Sequence, residues 1–135
     1  MTALTQDRNT HMIDGGWIAV PVAANAVIHA GALVAANAAG FAVPGATSAT
    51  LTYLGRAEEE VNNTGGINGD RTVTVRRKMA FLFANSGGAD AVGQADLGKP
   101  CYIVDDQTVA RTDGSASRSP AGIVLGVEAS GVWVE

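Results

Sequence analysis

Short apolar runs separated by turn-forming residues fill the last third of the chain, residues 96–135. The run Cys101-Tyr102-Ile103-Val104 follows Pro100 and stops at Asp105-Asp106, which is typical of a strand that ends in a turn. Residues 107–111 predict a second strand, and residues 112–120 predict a loop. Residues 122–128 predict an alternating strand with Ile123, Leu125 and Val127 on one face. After a turn at residues 129–131, residues 132–134 predict a final strand.

The first half of the chain also favours strands. Residues 17–22 form an apolar run with Pro21 near its end, which predicts an edge strand or a strand terminus because proline cannot donate to a ladder. The alanine-rich segment 22–39 could be interpreted as a helix. We favour a strand, a hairpin turn and a second strand, because Gly31 and Gly40 interrupt the segment and Val, Ile and Phe prefer strands.

The clearest strand pattern lies at residues 71–85, after the turn-rich segment 62–70, which predicts an exposed hairpin loop. Arg77 falls on the apolar face of this strand, so we expect a bulge or a local opening of the core there. Residues 94–98 predict one short helical turn before Pro100. The apolar face of the long strand comprises Val73, Val75, Met79, Phe81 and Phe83.

These patterns predict an all-β, mainly antiparallel fold with little helix, arranged as a small β-barrel or sandwich. We expect residues 17–135 to form a single β-rich domain and residues 1–16 to form an extended N-terminal arm. Residues 1–16 show no strand or helix period, and two interpretations are open. They form either a frayed terminus or an arm that becomes ordered on a neighbouring subunit through Leu4, Met12 and Ile13.

Composition narrows the functions that the chain could have. With 9 basic against 13 acidic residues and a net charge of −4, the sequence does not predict nucleic-acid binding, which needs a clustered basic surface. No apolar run is long enough to predict a membrane span. Only 16% of the residues are charged, which favours a surface that is partly covered by a partner.

Candidate chemistry is sparse. Asp105, Asp106 and Asp113 lack the spacing of a calcium loop, and His11 and His29 have no partner at metal-ligand spacing. Cys101 is the single cysteine and lies in an apolar run, so we interpret it as a core residue and not as a nucleophile. The sequence therefore predicts a protein that is not an enzyme and that has no catalytic residues, no metal site and no cofactor.

Two charged clusters flank the hairpin loop: Glu58-Glu59-Glu60 before it and Arg76-Arg77-Lys78 after it. Facing each other across a hairpin, they would form cross-strand ion pairs, and this is the interpretation we favour. The alternative hypothesis is that Arg76, Arg77 and Lys78 form a docking patch for an acidic partner.

Taken together, several segments resemble the capsid decoration (head cement) proteins of tailed bacteriophages, of the Mu-like and siphophage type. They are the arm ending at Gly16-Trp17, the Gly/Ala-rich segment 23–45, the block ADLGKPCYIVDDQTVARTD at 95–113 and the ending SPAGIVLGVEASGVWVE at 119–135. The likeness covers most of the chain and concerns its overall pattern.

The resemblance implies a structural virion protein on the outer capsid surface, assembled in the bacterial cytoplasm. Its partners would be the major capsid protein and two further copies of itself in a homotrimer at threefold positions, where it would clamp neighbouring capsid subunits, with no nucleic acid and no membrane involved. Contacts with the capsid or with another protomer would map to Leu4, Arg8, His11, Met12, Ile13 and Trp17.

Two other functions stay open. One is a different virion component, such as a tail or head-completion protein, which would assemble into rings or tubes. The other is a free-standing ligand- or carbohydrate-binding β-domain. The aromatic content of 5% makes this third function less favoured, because such sites are usually lined by aromatic side chains.

Overall fold

A computed structural model describes residues 2–135. It consists of strands and of two short 3-10 turns at Gly88–Asp90 and Gln94–Asp96, which confirms the all-β prediction and the helical turn before Pro100. The strands are β1 Trp17–Pro21, β2 Val27–Ile28, β3 Leu33–Ala36, β4 Ala42–Pro44, β5 Thr52–Ala57, β6 Val61–Asn62, β7 Thr72–Arg76, β8 Phe81–Asn85, β9 Pro100–Ile103, β10 Thr108–Ala110, β11 Pro120–Glu128 and β12 Gly131–Val134.

The strands form a sheet, a barrel and a small ribbon. The sheet has five antiparallel strands in the order β1-β7-β5-β3-β4, so β1 is an edge strand as predicted. The second half of the chain closes into a five-stranded barrel in the order β10-β8-β12-β11-β9, in which β8 and β10 are parallel. Strands β2 and β6 pair as a separate two-stranded ribbon.

Strand β3 contributes to both hydrophobic cores. Its fully buried Leu33 and Ala35 belong to the barrel core, which also contains Ile103 and Phe83. The intervening Val34 belongs to the core between the sheet and the ribbon. Successive side chains of a strand point to opposite faces, so β3 is apolar at every buried position because both of its faces are covered. The sheet therefore forms a wall shared by the two cores.

The hairpin within the alanine-rich segment is confirmed. Strands β3 and β4 pair antiparallel around residues 37–41. The side-chain oxygen of Asn37 accepts hydrogen bonds from the backbone N–H groups of Ala39 and Phe41, both at 3.0 Å. Gly40 adopts a φ of 88°, a left-handed conformation that glycine reaches without strain. Asparagine and glycine thus fix the turn that ends the apparent helical pattern.

The prediction of one strand over residues 71–85 is wrong. The segment forms β7 in the sheet and β8 in the barrel, with a break at residues 77–80, where Lys78 has a φ of 59°. Val73 is buried in the sheet core and Phe81 in the barrel core, whereas Met79 is exposed. The irregularity expected at Arg77 is present, but it is the point at which the chain passes from one core to the other.

Strand β11 alternates as predicted until a bulge changes its register. Pairing with β12 shifts between Val124 and Gly126. Ile123 and Leu125 face solvent, and Val124 is fully buried between them. Val127 nevertheless packs on the barrel core, because the extra residue of a bulge reverses the alternation that follows it. The predicted common face of Ile123, Leu125 and Val127 is therefore split.

The turn-rich loop at 62–70 is largely exposed, but Asn63 is buried, which the sequence did not indicate. Its amide nitrogen donates hydrogen bonds to the carbonyl oxygens of Ala23 at 2.9 Å and Ile67 at 3.1 Å. These bonds tie the loop to the chain segment that follows β1. A buried asparagine thus supplies a donor to the buried Ala23 carbonyl and to the partly buried Ile67 carbonyl.

We expect Asn63→Ala to lower the free energy of unfolding by about 1–3 kcal/mol, because the buried Ala23 carbonyl loses its donor. Urea unfolding measures the change. Asn62→Ala is the matched control, since Asn62 is exposed and its side chain bonds only the nearby N–H of Thr64. Equal destabilisation by the two substitutions would contradict the role assigned to Asn63.

Candidate interaction surface

The N-terminal residues 2–14 are exposed and contain no strand or helix. Met12 and Ile13 are 94% and 86% exposed, and Leu4 is also largely exposed. Arg8 and His11 lie in the same exposed segment. Apolar side chains at such exposure gain free energy when a partner covers them. The segment keeps the features expected of a contact arm, and its ordering on a neighbour stays a prediction.

The end of the arm lies against the basic cluster. The Arg76 guanidinium carbon lies 4.3 Å from the centre of the Trp17 ring, in a cation–π arrangement. The Arg77 N–H donates a hydrogen bond of 2.7 Å to the Gly16 carbonyl. A Cβ atom placed on Gly15 would lie 2.9 Å from the Lys78 ammonium nitrogen. The end of the arm and the basic cluster, which are far apart in the sequence, are thus in contact in the structure.

We call Trp17, Arg76, Arg77 and Lys78 the arm-root surface. Its position follows from pairing within the sheet: β1 and β7 are antiparallel with Trp17 opposite Arg76. The N-terminal end of β1, where the arm joins the sheet, therefore lies beside the C-terminal end of β7, where the basic cluster begins. Only the pairing of these strands brings the residues together.

The expected ion pairs between Glu58-Glu59-Glu60 and Arg76-Arg77-Lys78 do not form. Arg56, not an acidic residue, lies opposite Arg76, and the Glu58 N–H bonds the Thr74 carbonyl at 3.0 Å. The acidic cluster is therefore displaced along β7 from the basic one. Instead, the Glu58 carboxylate pairs with Arg56 two residues before it. Within residues 2–135, neither Arg77 nor Lys78 takes part in an ion pair.

A groove of about 400 Å³ runs from the arm-root surface between the sheet and the barrel. Arg77 and Lys78 lie on its basic side, and Glu135 also lines it. Its remaining walls are formed by Tyr53, Leu54, Ala121, Gly122 and Ile123. Two cations beside apolar walls favour a partner segment that carries both a carboxylate and an apolar side chain.

The Tyr53 hydroxyl group is buried and has no hydrogen-bond partner among the described residues. Burial raises the pKa of Tyr53 far above its usual value, and the negative charge that Cys101 would acquire on losing its proton raises it further. The hydroxyl group therefore remains protonated and keeps a hydrogen to donate. An unpartnered donor of this kind is costly and can be satisfied by an acceptor from a partner or by water.

The exterior of the barrel carries a second exposed apolar group, which the sequence analysis did not identify. Leu82 lies opposite Trp133 on adjacent strands, and both side chains point away from the core. Leu125 is exposed on β11, the strand on the other side of β12. The alternation of residues 132–134 could have indicated an outward Trp133. The neighbouring Leu82 could not be found without the strand order.

The other candidate residues are dispersed. Cys101 is fully buried, its thiol donates to the Gly122 carbonyl at 3.6 Å, and burial raises the pKa of Cys101 to about 12, which confirms the interpretation as a core residue. His29 lies 3.7 Å from the Glu60 carboxylate at an exposed position. In the part of the chain that the structure describes, no three potential metal-ligating side chains come together.

Comparison of the chain with protein-family models, with curated proteins and with solved structures finds no match. Among the described residues, no helix has the length and apolar character needed to cross a membrane.

Proposed function

We propose that this protein is a capsid decoration protein of a tailed bacteriophage. It binds the outer surface of the head, clamps neighbouring subunits of the major capsid protein and acts as a homotrimer at threefold positions. It performs no chemical reaction and uses no cofactor. The observation that carries this proposal is the continuity between the exposed arm and the arm-root surface, supported by the resemblance of the sequence to decoration proteins.

The arm and the arm-root surface supply complementary contacts. Leu4, Met12 and Ile13 offer apolar area that is exposed in the free chain. Arg77 and Lys78 offer charges that form no ion pair within residues 2–135. An acidic segment of the capsid protein fits the basic side of the groove. Each contact is modest, but copies held in a trimer on a lattice bind with high effective concentration.

Charge reversal tests the contact. We expect the double variant Arg77→Glu/Lys78→Glu to bind heads roughly 10–100-fold more weakly, because weak exposed charge contacts are multiplied over the copies of a trimer. Binding is measured by co-sedimentation with undecorated heads from the same source as the chain. The matched control is Arg71→Glu/Lys99→Glu, which makes the same change in net charge at exposed positions outside the arm-root surface.

Removal of residues 1–16 in the same assay tests the arm. Loss of binding by both the truncated chain and the Arg77→Glu/Lys78→Glu variant, with the control unchanged, supports the proposal. Failure of the wild-type protein to bind the heads would contradict the proposal. Assembly of the purified protein into tubes, or into rings larger than a trimer, would instead indicate a tail or head-completion component.

A further inference from the structure

Strand β1 has a free edge. It pairs with β7 on one side, and within the described chain no strand pairs with residues 17–20 on the other side. At the end of β1 the two edges of the sheet meet, because Val22 forms a parallel bridge with Ala42 of β4 and the Ala23 N–H donates a hydrogen bond of 2.9 Å to the Ala42 carbonyl. The barrel is closed and exposes no such edge. An open edge strand is a template for another strand.

The register shows which backbone groups face outward. At one end of the pair, Arg77 N–H bonds the Gly16 carbonyl, and at the other, Val22 N–H bonds the Arg71 carbonyl. In an antiparallel ladder, alternate residues bond the partner strand, so the even-numbered residues of β1 face β7. Ala19 therefore directs both its N–H and its C=O away from the sheet.

The neighbouring outward positions limit the length of any added strand. Trp17 presents its carbonyl group outward, while its N–H bonds the Asp14 carbonyl at 3.5 Å. Pro21 has no N–H to offer, so it blunts the far end of the edge. Pairing is thus confined to the stretch around Ala19, which is exposed.

The arm of the same chain does not occupy this edge. Residues 14–17 form a turn in which the Gly16 N–H also bonds the Asp14 carboxylate at 2.8 Å. A two-residue hairpin of type I′ or II′ needs positive φ at a central residue, but neither Gly15 nor Gly16 has one. Turns without positive φ splay the chain away from the strand that follows. The arm therefore turns away from β1 and does not pair with it as a strand.

We infer that the free edge of β1 binds the N-terminal arm of a second copy of this chain as an added strand. Every copy carries one segment without strand pairing, residues 2–14, and an open stretch of the β1 edge at residues 17–20, beside which that segment ends. The two surfaces differ, so the contact is head-to-tail and can close into a ring.

This inference extends the proposed function, because it specifies the contact that would join the copies of the trimer. Its test uses the full chain in the absence of heads. We expect the wild type to sediment as a trimer. Removal of residues 2–14 should shift the concentration for half-dissociation at least tenfold toward the monomer. We expect the same of Ala19→Pro, which deletes the outward N–H but no hydrogen bond to β7.

Ala19→Ser is the matched control, since it changes the side chain and keeps the N–H; it should remain a trimer. Amide hydrogen exchange provides a measurement that does not depend on the folding of Ala19→Pro. The Ala19 amide should be protected in the wild type at trimer-forming concentration and should exchange at least tenfold faster in the chain lacking residues 2–14.

A monomeric wild type, an Ala19 amide that exchanges equally with and without the arm, or a folded Ala19→Pro variant that associates like Ala19→Ser would overturn the inference. A monomer that still binds heads would overturn it and the homotrimer while leaving the head-binding part of the proposed function intact. An arm-dependent trimer that does not bind heads would do the opposite, so the two failures are distinguishable.

Discussion

Replacing Leu33 with alanine is expected to lower the free energy of unfolding by about 2–5 kcal/mol. Leu33 is fully buried in the barrel core although it belongs to a strand of the sheet. The substitution leaves a cavity between the two layers, and the rigid wall of β3 limits how far that cavity can collapse. For a domain with total stability of about 5–15 kcal/mol, this is a large fraction.

The two tryptophans can report on the two layers separately during urea unfolding. Trp17 lies in the sheet and Trp133 in the barrel. Single-tryptophan forms, made by Trp17→Phe or Trp133→Phe, would each follow one layer. Because β3 is shared, we expect Leu33→Ala to move both transitions to lower urea by the same amount. Coincident transitions would support a single β-rich domain over residues 17–135.

Ile123→Ala is the control for this prediction, since Ile123 is a branched apolar residue of similar size with an exposed side chain. It should change the free energy of unfolding by about 0.5 kcal/mol or less. A Leu33→Ala effect no larger than that of the control would contradict the packing assigned to β3. Transitions that separate, with Trp133 shifted and Trp17 unchanged, would show that the sheet and the barrel unfold independently.

The sequence was sufficient to predict local strands and turns. Pro100–Ile103 is a strand because an apolar run enters through proline and ends at two aspartates, and both signals act over neighbouring residues. The turn around Asn37 and Gly40 follows from the side-chain oxygen and the left-handed backbone that these residues supply. Such chemistry is contained within a few positions, so it needs no knowledge of the fold.

Properties that depend on distant pairing were not predictable. The alternation of Val73, Val75, Phe81 and Phe83 continues across the break because both cores need buried apolar residues. The alternation itself does not show that two cores are involved. The φ of 59° at Lys78 could not be predicted either, because lysine does not favour positive φ. The register of β7 likewise depends on tertiary packing. This is why the charge clusters were wrongly placed opposite each other.

The candidate site shows the same division. Trp17 and the cluster Arg76-Arg77-Lys78 were each identified from the sequence, but their proximity comes from the β1–β7 pairing. Because the predicted ion pairs do not form, the basic cluster lacks the acidic partners that the sequence predicted for it. Arg77 and Lys78 have no acidic partner within residues 2–135 and border a groove with apolar walls. The ion-pair interpretation is therefore wrong, and the docking hypothesis for Arg76, Arg77 and Lys78 stays a prediction.

Gly55→Ala is expected to lower the free energy of unfolding by about 2–6 kcal/mol. Backbone strain contributes about 1–3 kcal/mol of this loss and overpacking about 1–3 kcal/mol. Gly55 has a φ of 149°, and a Cβ atom there would lie 2.1 Å from the Arg76 carbonyl oxygen. The new methyl group must push β7 away from β5, at a site where the register between β3 and β5 also shifts. Chemical denaturation measures the loss.

The displacement should also reach the arm-root surface, because the atom struck is the carbonyl of Arg76 itself. Gly126→Ala is the matched control: Gly126 also lies at a bulge, but its added methyl would meet only the Trp133 ring at an ordinary 3.5 Å. The control should change stability by about 1 kcal/mol or less. If the two alanine variants unfold at the same denaturant concentration, β5 and β7 do not approach as closely as the fold requires, and the arm-root surface loses its structural basis.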